Sequence, residues 1–134
     1  MTSKPTGPAA DDPPRLDAVA VARLRELDPD GKHGVVLRVL QAFESSLQRK
    51  LGEAREAGEC GDTKTIAEIA HLLKSSSGSV GALAFAARCI EVERAIRGGQ
   101  AVDLRVEVEN LLTEGERALQ AVRAMLSAPE SGPR

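Results

Sequence analysis

Residues 70–82 read Ala-His-Leu-Leu-Lys-Ser-Ser-Ser-Gly-Ser-Val-Gly-Ala, and they are the most informative segment of the chain. On a helix with about 100° per residue, its apolar positions and those just before it share one stripe, which is typical of a helix that packs on a core. The stripe consists of Ile66, Ile69, Leu73 and Val80. Gly81 can close the helix, because glycine readily adopts the left-handed conformation found at helix ends. The spacing therefore predicts a helix that ends near Gly81.

The opposite face of this helix is polar and unusually small. His71 lies off the apolar stripe, and Lys74, Ser75 and Gly78 follow it by three, four and seven residues, which places them on its own face. Serine and glycine are poor helix formers compared with Glu, Lys or Ala. Their presence on the surface indicates a flat patch of small side chains beside His71. Such a patch would let a pocket of another protein reach the imidazole. We expect the ring to be exposed to solvent near the middle of the bundle.

Histidine at such a position suits phosphoryl transfer. The imidazole is largely neutral near pH 7, and its free nitrogen can attack phosphorus to give a covalent intermediate. Lys74 would stabilise the phosphoryl oxygens. Taken alone, an exposed histidine is more often an ordinary surface residue, and small residues also permit close helix packing. Ser76 and Ser77 are expected to serve packing, because they point inward or sideways.

The rest of the chain is also helical. The pattern predicts a short helix over 16–27, then longer helices over 33–57, from Asp62 or Thr65 to Gly81, over 82–97 and over 102–126. Asp62 can cap the third helix, and Thr65 with Glu68 has the capping-box form. Gly58 and Gly61 are expected to bracket a loop.

Short loops between these helices predict an all-α fold, an antiparallel up-down four-helix bundle with an additional short N-terminal helix. The Pro- and Gly-rich residues 1–14 are predicted to be a disordered leader, residues 15–127 the bundle, and residues 128–134 a disordered tail. With no adjoining domain apparent, the pattern favours a stand-alone protein over the end of a hybrid kinase.

Composition narrows the function classes. The 134 residues are 42% apolar, contain two Phe but no Tyr or Trp, and carry a net charge of −2. Basic residues form no cluster, which argues against nucleic-acid binding. No apolar run is long enough for a membrane span. Cys60, expected in a loop, and Cys89, expected in the core, have no metal or redox spacing, which fits free thiols in a cytoplasmic protein.

The stretch from Ala70 to Ala82 resembles the phosphoacceptor motif of histidine-containing phosphotransfer (HPt) domains, A-H-x-L-K-G-S-[SA]-x-x-[LV]-G-A. The resemblance covers about residues 35–100. Outside the motif it includes Phe85-Ala86 and Val92-Glu93, which fall where the family has Leu-Ala and Leu-Glu. The matching motif positions are Ala70, His71, Leu73, Lys74, Ser76, Ser77, Val80, Gly81 and Ala82.

The resemblance implies that His71 accepts a phosphoryl group from an aspartate of a receiver domain and passes it to an aspartate of a second receiver. Lys74 would be the phosphate-adjacent cation, and Ser75 and Gly78 would lie on the receiver-docking surface. Ser75 departs from the family, which usually has glycine there. The implied partners are response-regulator receiver domains and a hybrid sensor kinase. The chain itself would be a monomer with no cofactor or metal, and Mg²⁺ would belong to the receiver.

Two other classes of function remain open on the residues alone. An enzyme has little support, because the sequence has no Gly-rich phosphate loop, paired carboxylates or metal spacing, and it is too short for an ATP-binding domain. The second histidine, His33, is expected to be a solvated residue. A non-catalytic helical adaptor, with His71 incidental, fits the periodicity equally well.

Overall fold

A computed structural model describes residues 13–99 and 103–128 of the chain. Within these residues the structure is helical, without strands. Five helices follow one another: α1 (Ala18–Glu26), α2 (Val35–Cys60), α3 (Thr63–Val80), α4 (Leu83–Arg97) and α5 (Leu104–Ser127). The predicted all-α fold is confirmed. The predicted leader and tail fall almost wholly outside the described residues.

The four long helices form the bundle, and the short α1 lies against one side of it. α3 packs on α4 and α2, and α5 packs on α2 and α4, while α1 contacts α3 and α2. Successive long helices therefore alternate in direction around one core. The fully buried side chains are mainly leucine, isoleucine and valine, with Phe85 the largest. Cys89 is buried among them, as predicted.

Both ends of α3 are fixed by side-chain and backbone geometry. The Asp62 carboxylate accepts hydrogen bonds from the Thr65 backbone N–H (3.1 Å) and the Thr65 hydroxyl (2.7 Å). The predicted capping box with Glu68 is wrong, because Asp62 is the N-cap and Thr65 already lies inside the helix. At the other end Gly81 has φ +93°, and a Cβ atom there would lie 2.7 Å from the backbone nitrogen of Asp17. Gly81 thus both ends α3 and lets α1 approach.

Two predicted features of α2 are wrong. Gly58 lies inside this helix and not in a loop, and Cys60 is its last residue. A Cβ atom at position 58 would lie 3.0 Å from Val108 Cγ1 on α5, so glycine serves close packing of the two helices there. The cap residue that follows α2 is Gly61, where φ is +73°.

The start of α2 also differs from the prediction. The buried Asp28 carboxylate accepts backbone N–H bonds from His33 (3.0 Å) and Val35 (3.1 Å). These bonds keep residues 33 and 34 in the loop, so the helix begins two residues later than the periodicity indicated. Helices α1, α4 and α5 also begin one or two residues later than predicted. In α1 and α5 the residue before the helix is an aspartate N-cap, Asp17 and Asp103 respectively.

Candidate functional site

His71 lies in the middle of α3, where the helix faces α4. Its side chain is 51% exposed, while its neighbours Ala70 and Leu73 are buried in the core. This confirms that the ring of His71 is exposed. Helix α3 therefore holds His71 on a rigid backbone whose inner face is packed and whose outer face is open.

The contact partner of His71 is Glu93 on α4, which the sequence alone did not indicate. One carboxylate oxygen of Glu93, Oε2, lies 2.8 Å from His71 Nδ1 and 2.8 Å from Arg97 Nη1. The other, Oε1, accepts a 2.8 Å bond from Lys74 Nζ. The Glu93 side chain is only 11% exposed. We call these four residues the Glu93 cluster.

Glu93 is ionised in this environment. The hydrogen bond from Lys74 is the main cause that holds the pKa of Glu93 below its ordinary value, and the bond to His71 acts in the same direction against the opposing effect of burial. An ionised carboxylate only accepts hydrogen bonds. His71 Nδ1 must therefore carry the proton that it shares with Glu93. In the neutral ring this leaves the lone pair on Nε2, across the ring from the carboxylate.

The local sequence explains why Glu93 is so placed. The tight connection at Gly81 and Ala82 folds α4 back along α3, which brings together two residues that are 22 positions apart. Cys89, one turn before Glu93, is buried in the core. Burial and the charge of Glu93 raise the pKa of the Cys89 thiol to about 12, so it stays protonated. Glu93 thus emerges at the edge of the core with its carboxylate turned to α3.

The predicted site residues occupy one face of α3. Lys74 is 32% exposed and is bound to Glu93, a partner that its position in the sequence did not indicate. Ser75 is exposed and Gly78 is half-buried. A Cβ atom at position 78 would meet nothing within 4 Å. Helix spacing places both on the face of His71.

The remaining polar residues are placed as follows. His33 is exposed, and its backbone N–H donates to Asp28. Ser77 is buried, as predicted, but Ser76 is exposed, and its hydroxyl donates to the Leu73 carbonyl oxygen at 3.3 Å. Within residues 13–99 and 103–128, no group of three or more His, Cys, Asp or Glu side chains lies together as a metal ion would need.

The sequence gives little indication of the contact between Glu93 on α4 and His71 on α3. Glu93 precedes Arg97 by four residues, which predicts an ordinary surface ion pair on one helix. The stronger signal is that Glu93 follows Val92 and Cys89 at the apolar edge of α4, where a carboxylate requires partners. Those partners come from another helix, so their identity depends on the tertiary fold.

Comparison with known proteins identifies the family of the chain. The Hpt domain family matches residues 38–129, which is most of the chain, and the chain belongs to that family. It is a histidine phosphotransfer protein of the phosphorelay class, whose members are phosphotransfer intermediates and interact with receiver domains. A comparison with curated proteins finds no match.

A solved structure has the same fold. Histidine-containing phosphotransfer protein B (HptB) from Pseudomonas aeruginosa PAO1 is 23% identical, and the alignment covers 86% of this chain and 96% of that chain with a TM-score of 0.71. At this identity the likeness concerns the fold, an Hpt-type helical bundle. None of the helices in the described part of the chain is long and apolar enough to cross a membrane.

Proposed function

We propose that His71 is the phosphoacceptor, and that it takes a phosphoryl group from the aspartyl phosphate of one receiver domain and passes it to an aspartate of another. The observation that carries this assignment is the 2.8 Å bond between His71 Nδ1 and Glu93 on a half-exposed ring. It leaves Nε2 as the nucleophile and holds the ring in one orientation. The other histidine, His33, has no comparable side-chain partner among the described residues.

The transfer step follows from this arrangement. The Nε2 lone pair attacks phosphorus, the bond between phosphorus and the aspartate oxygen breaks, and the aspartate leaves as a carboxylate with the bonding electrons. The ring becomes positively charged and keeps its proton on Nδ1. The carboxylate of Glu93 stabilises that charge at 2.8 Å. Transfer to the second receiver reverses these changes.

Lys74 would contribute charge to the same step. Its ammonium group is bound to Glu93 Oε1, and its side chain is partly exposed. A phosphoryl group on His71 brings about two further negative charges, which attract this cation. We therefore assign to Lys74 the stabilisation of the phosphoryl oxygens. Mg²⁺ belongs to the receiver partner in this proposal, and the chain needs neither ATP nor a metal of its own.

Ser75 and Gly78 would form the docking surface. Phosphorus must come within about 3–3.5 Å of the attacking nitrogen, and the aspartate of the receiver lies in a recessed pocket, so the two backbones must approach closely. The exposed serine and the open space above Gly78 leave room for that approach.

The assignment is tested by incubation with a receiver phosphorylated by radioactive acetyl phosphate. We expect wild-type protein and His33→Gln to acquire label that is labile to acid and stable to base, as phosphohistidine is. His71→Gln should fold normally and acquire none, because glutamine has no nucleophilic ring nitrogen. Equal label in His71→Gln would refute the assignment. Absence of label in the wild type with receivers from the same genome would favour the helical adaptor.

A further inference from the structure

We propose that Arg97 is a second phosphoryl-binding residue, which Glu93 holds beside His71 until the phosphoryl group arrives. The inference rests on the proposed function of His71. In the unphosphorylated protein Arg97 pairs with Glu93. After transfer its guanidinium leaves that carboxylate for the phosphoryl oxygens, while Glu93 keeps its bonds to His71 and Lys74.

Proximity supports this role. Arg97 Nη1 and His71 Nδ1 each lie 2.8 Å from the same oxygen, so these two nitrogens are at most twice that distance, 5.6 Å, apart. Lys74 binds the other oxygen of Glu93. The phosphoryl group would lie on Nε2, across the ring from this contact, so the guanidinium must move along the edge of the imidazole to meet it, which a long and half-exposed side chain can do.

The Arg97 side chain also has room to move. Its side chain is 49% exposed, and it is the last residue of α4, directly before the cap residue Gly98. The Glu93 carboxylate is fixed by comparison, because it is 11% exposed and held from two helices. A guanidinium presents parallel N–H groups that match two phosphoryl oxygens, which a lysine cannot do.

The charge balance favours the exchange. Glu93 contributes one negative charge, and Lys74 and Arg97 contribute one positive charge each, so the cluster has a net charge of +1 when His71 is neutral. After transfer the phosphoryl oxygens carry about −2 and the protonated ring carries +1, so the cluster becomes about neutral. The doubly charged phosphoryl group then outcompetes the singly charged carboxylate for the arginine. Glu93 is not left unpaired, because two of its three partners remain. The movement breaks the pair between Arg97 and Glu93, but it does not leave a nearly buried charge without partners, which is the costly outcome.

The competition has a functional consequence. Glu93 keeps one cation partly away from the phosphoryl group, so the phosphorylated protein is less stabilised than it would be with both cations free. Removing Arg97 and removing the charge of Glu93 should therefore shift the pKa of the phosphoryl group in opposite directions.

To test this, His71 is phosphorylated with phosphoramidate in the absence of a receiver, and the pKa of the phosphoryl group is measured by a ³¹P NMR titration. A cation in contact lowers the pKa of a phosphoryl group. We expect Arg97→Gln to raise that pKa by about half a unit to one unit, as for loss of one partly exposed opposite charge. Glu93→Gln should lower it. Arg94→Gln, which removes an exposed arginine of α4 outside the Glu93 cluster, should leave it unchanged.

A double variant separates direct contact from a general effect of charge. If Glu93 competes for Arg97, the Arg97→Gln change should be larger in the Glu93→Gln background than in the wild type, and Arg97→Lys should restore only part of it. Circular dichroism checks that each variant is folded. An unchanged phosphoryl pKa in Arg97→Gln, or equal changes in both backgrounds, would overturn the inference. Failure of phosphoramidate to load His71 at all would instead contradict the proposed function.

Discussion

The docking surface makes a sharp prediction at Gly78. Replacement by glutamine should block transfer from a receiver while leaving the bundle intact. A Cβ atom at this position meets nothing within 4 Å, so the added side chain must project outward. Gly78 lies seven residues beyond His71 on the same face, or about 10 Å along the helix axis. A receiver that spans this distance would meet the new side chain.

The size of the effect follows from the geometry of transfer. If glutamine holds the receiver back by about 1 Å, the rate falls about a hundredfold, because reacting atoms must be within about 3–3.5 Å. The stability of the Gly78→Gln bundle should rise. Glutamine exceeds glycine in helix propensity by about 0.6 kcal/mol, which corresponds to a rise in melting temperature of about 2 °C in a domain of this size. Ser75→Gln should impair transfer in the same way but to a lesser degree.

The assay compares two phosphoryl donors. Phosphoramidate needs no docking surface, so Gly78→Gln should be labelled by it at the wild-type rate and by a phosphorylated receiver about a hundredfold more slowly. Gly52→Gln is the matched control. Gly52 is also a helix glycine with open space above it. It lies one turn after Gln48, whose side chain bonds to Arg123 on α5, so Gly52 lies on the side of α2 away from α3. Wild-type transfer from a receiver to Gly78→Gln would refute the docking argument.

Three further predictions concern charge and packing. Lys74→Ala should slow transfer and shorten the lifetime of phosphohistidine by about tenfold, with a stability change below about 1 kcal/mol; unchanged kinetics would remove Lys74 from the mechanism. The pKa of Glu93 is lowered in the fold, so the stability that its ionised form contributes should be complete above about pH 4.5 and lost as pH falls through the lowered pKa. The difference in unfolding free energy between wild type and Glu93→Gln should therefore shrink from pH 6 to pH 3. A constant difference would contradict this. Gly115→Ala should destabilise the bundle by about 1–2 kcal/mol in urea unfolding, because its Cβ atom would approach Leu51 Cδ1 to 2.9 Å and Cδ2 still more closely. A stability equal to that of the wild type would show that the Leu51 side chain moves aside at little cost.

The sequence predicts the features of the site that depend on one helix. The period of the apolar stripe places His71 outside, and Gly81 ends the helix, because both follow from local backbone geometry. Glu93 and Arg97 are different, since their meeting with His71 depends on how α4 folds back along α3. The error at Gly58 has a similar cause: glycine is a helix breaker by propensity, but here it accommodates Val108 of a neighbouring helix.

In the proposed mechanism His71 carries the phosphoryl group on Nε2 while Glu93 holds the proton on Nδ1. The chain has only two histidines, so ¹⁵N-histidine labelling and a long-range ¹H–¹⁵N correlation spectrum of the phosphorylated protein resolve all four ring nitrogens. We predict that a phosphorylated receiver changes one histidine, that this histidine is lost in His71→Gln, and that its Nε2 signal bears the phosphoryl group. Phosphorylation on Nδ1 of His71, or on His33, would contradict this mechanism.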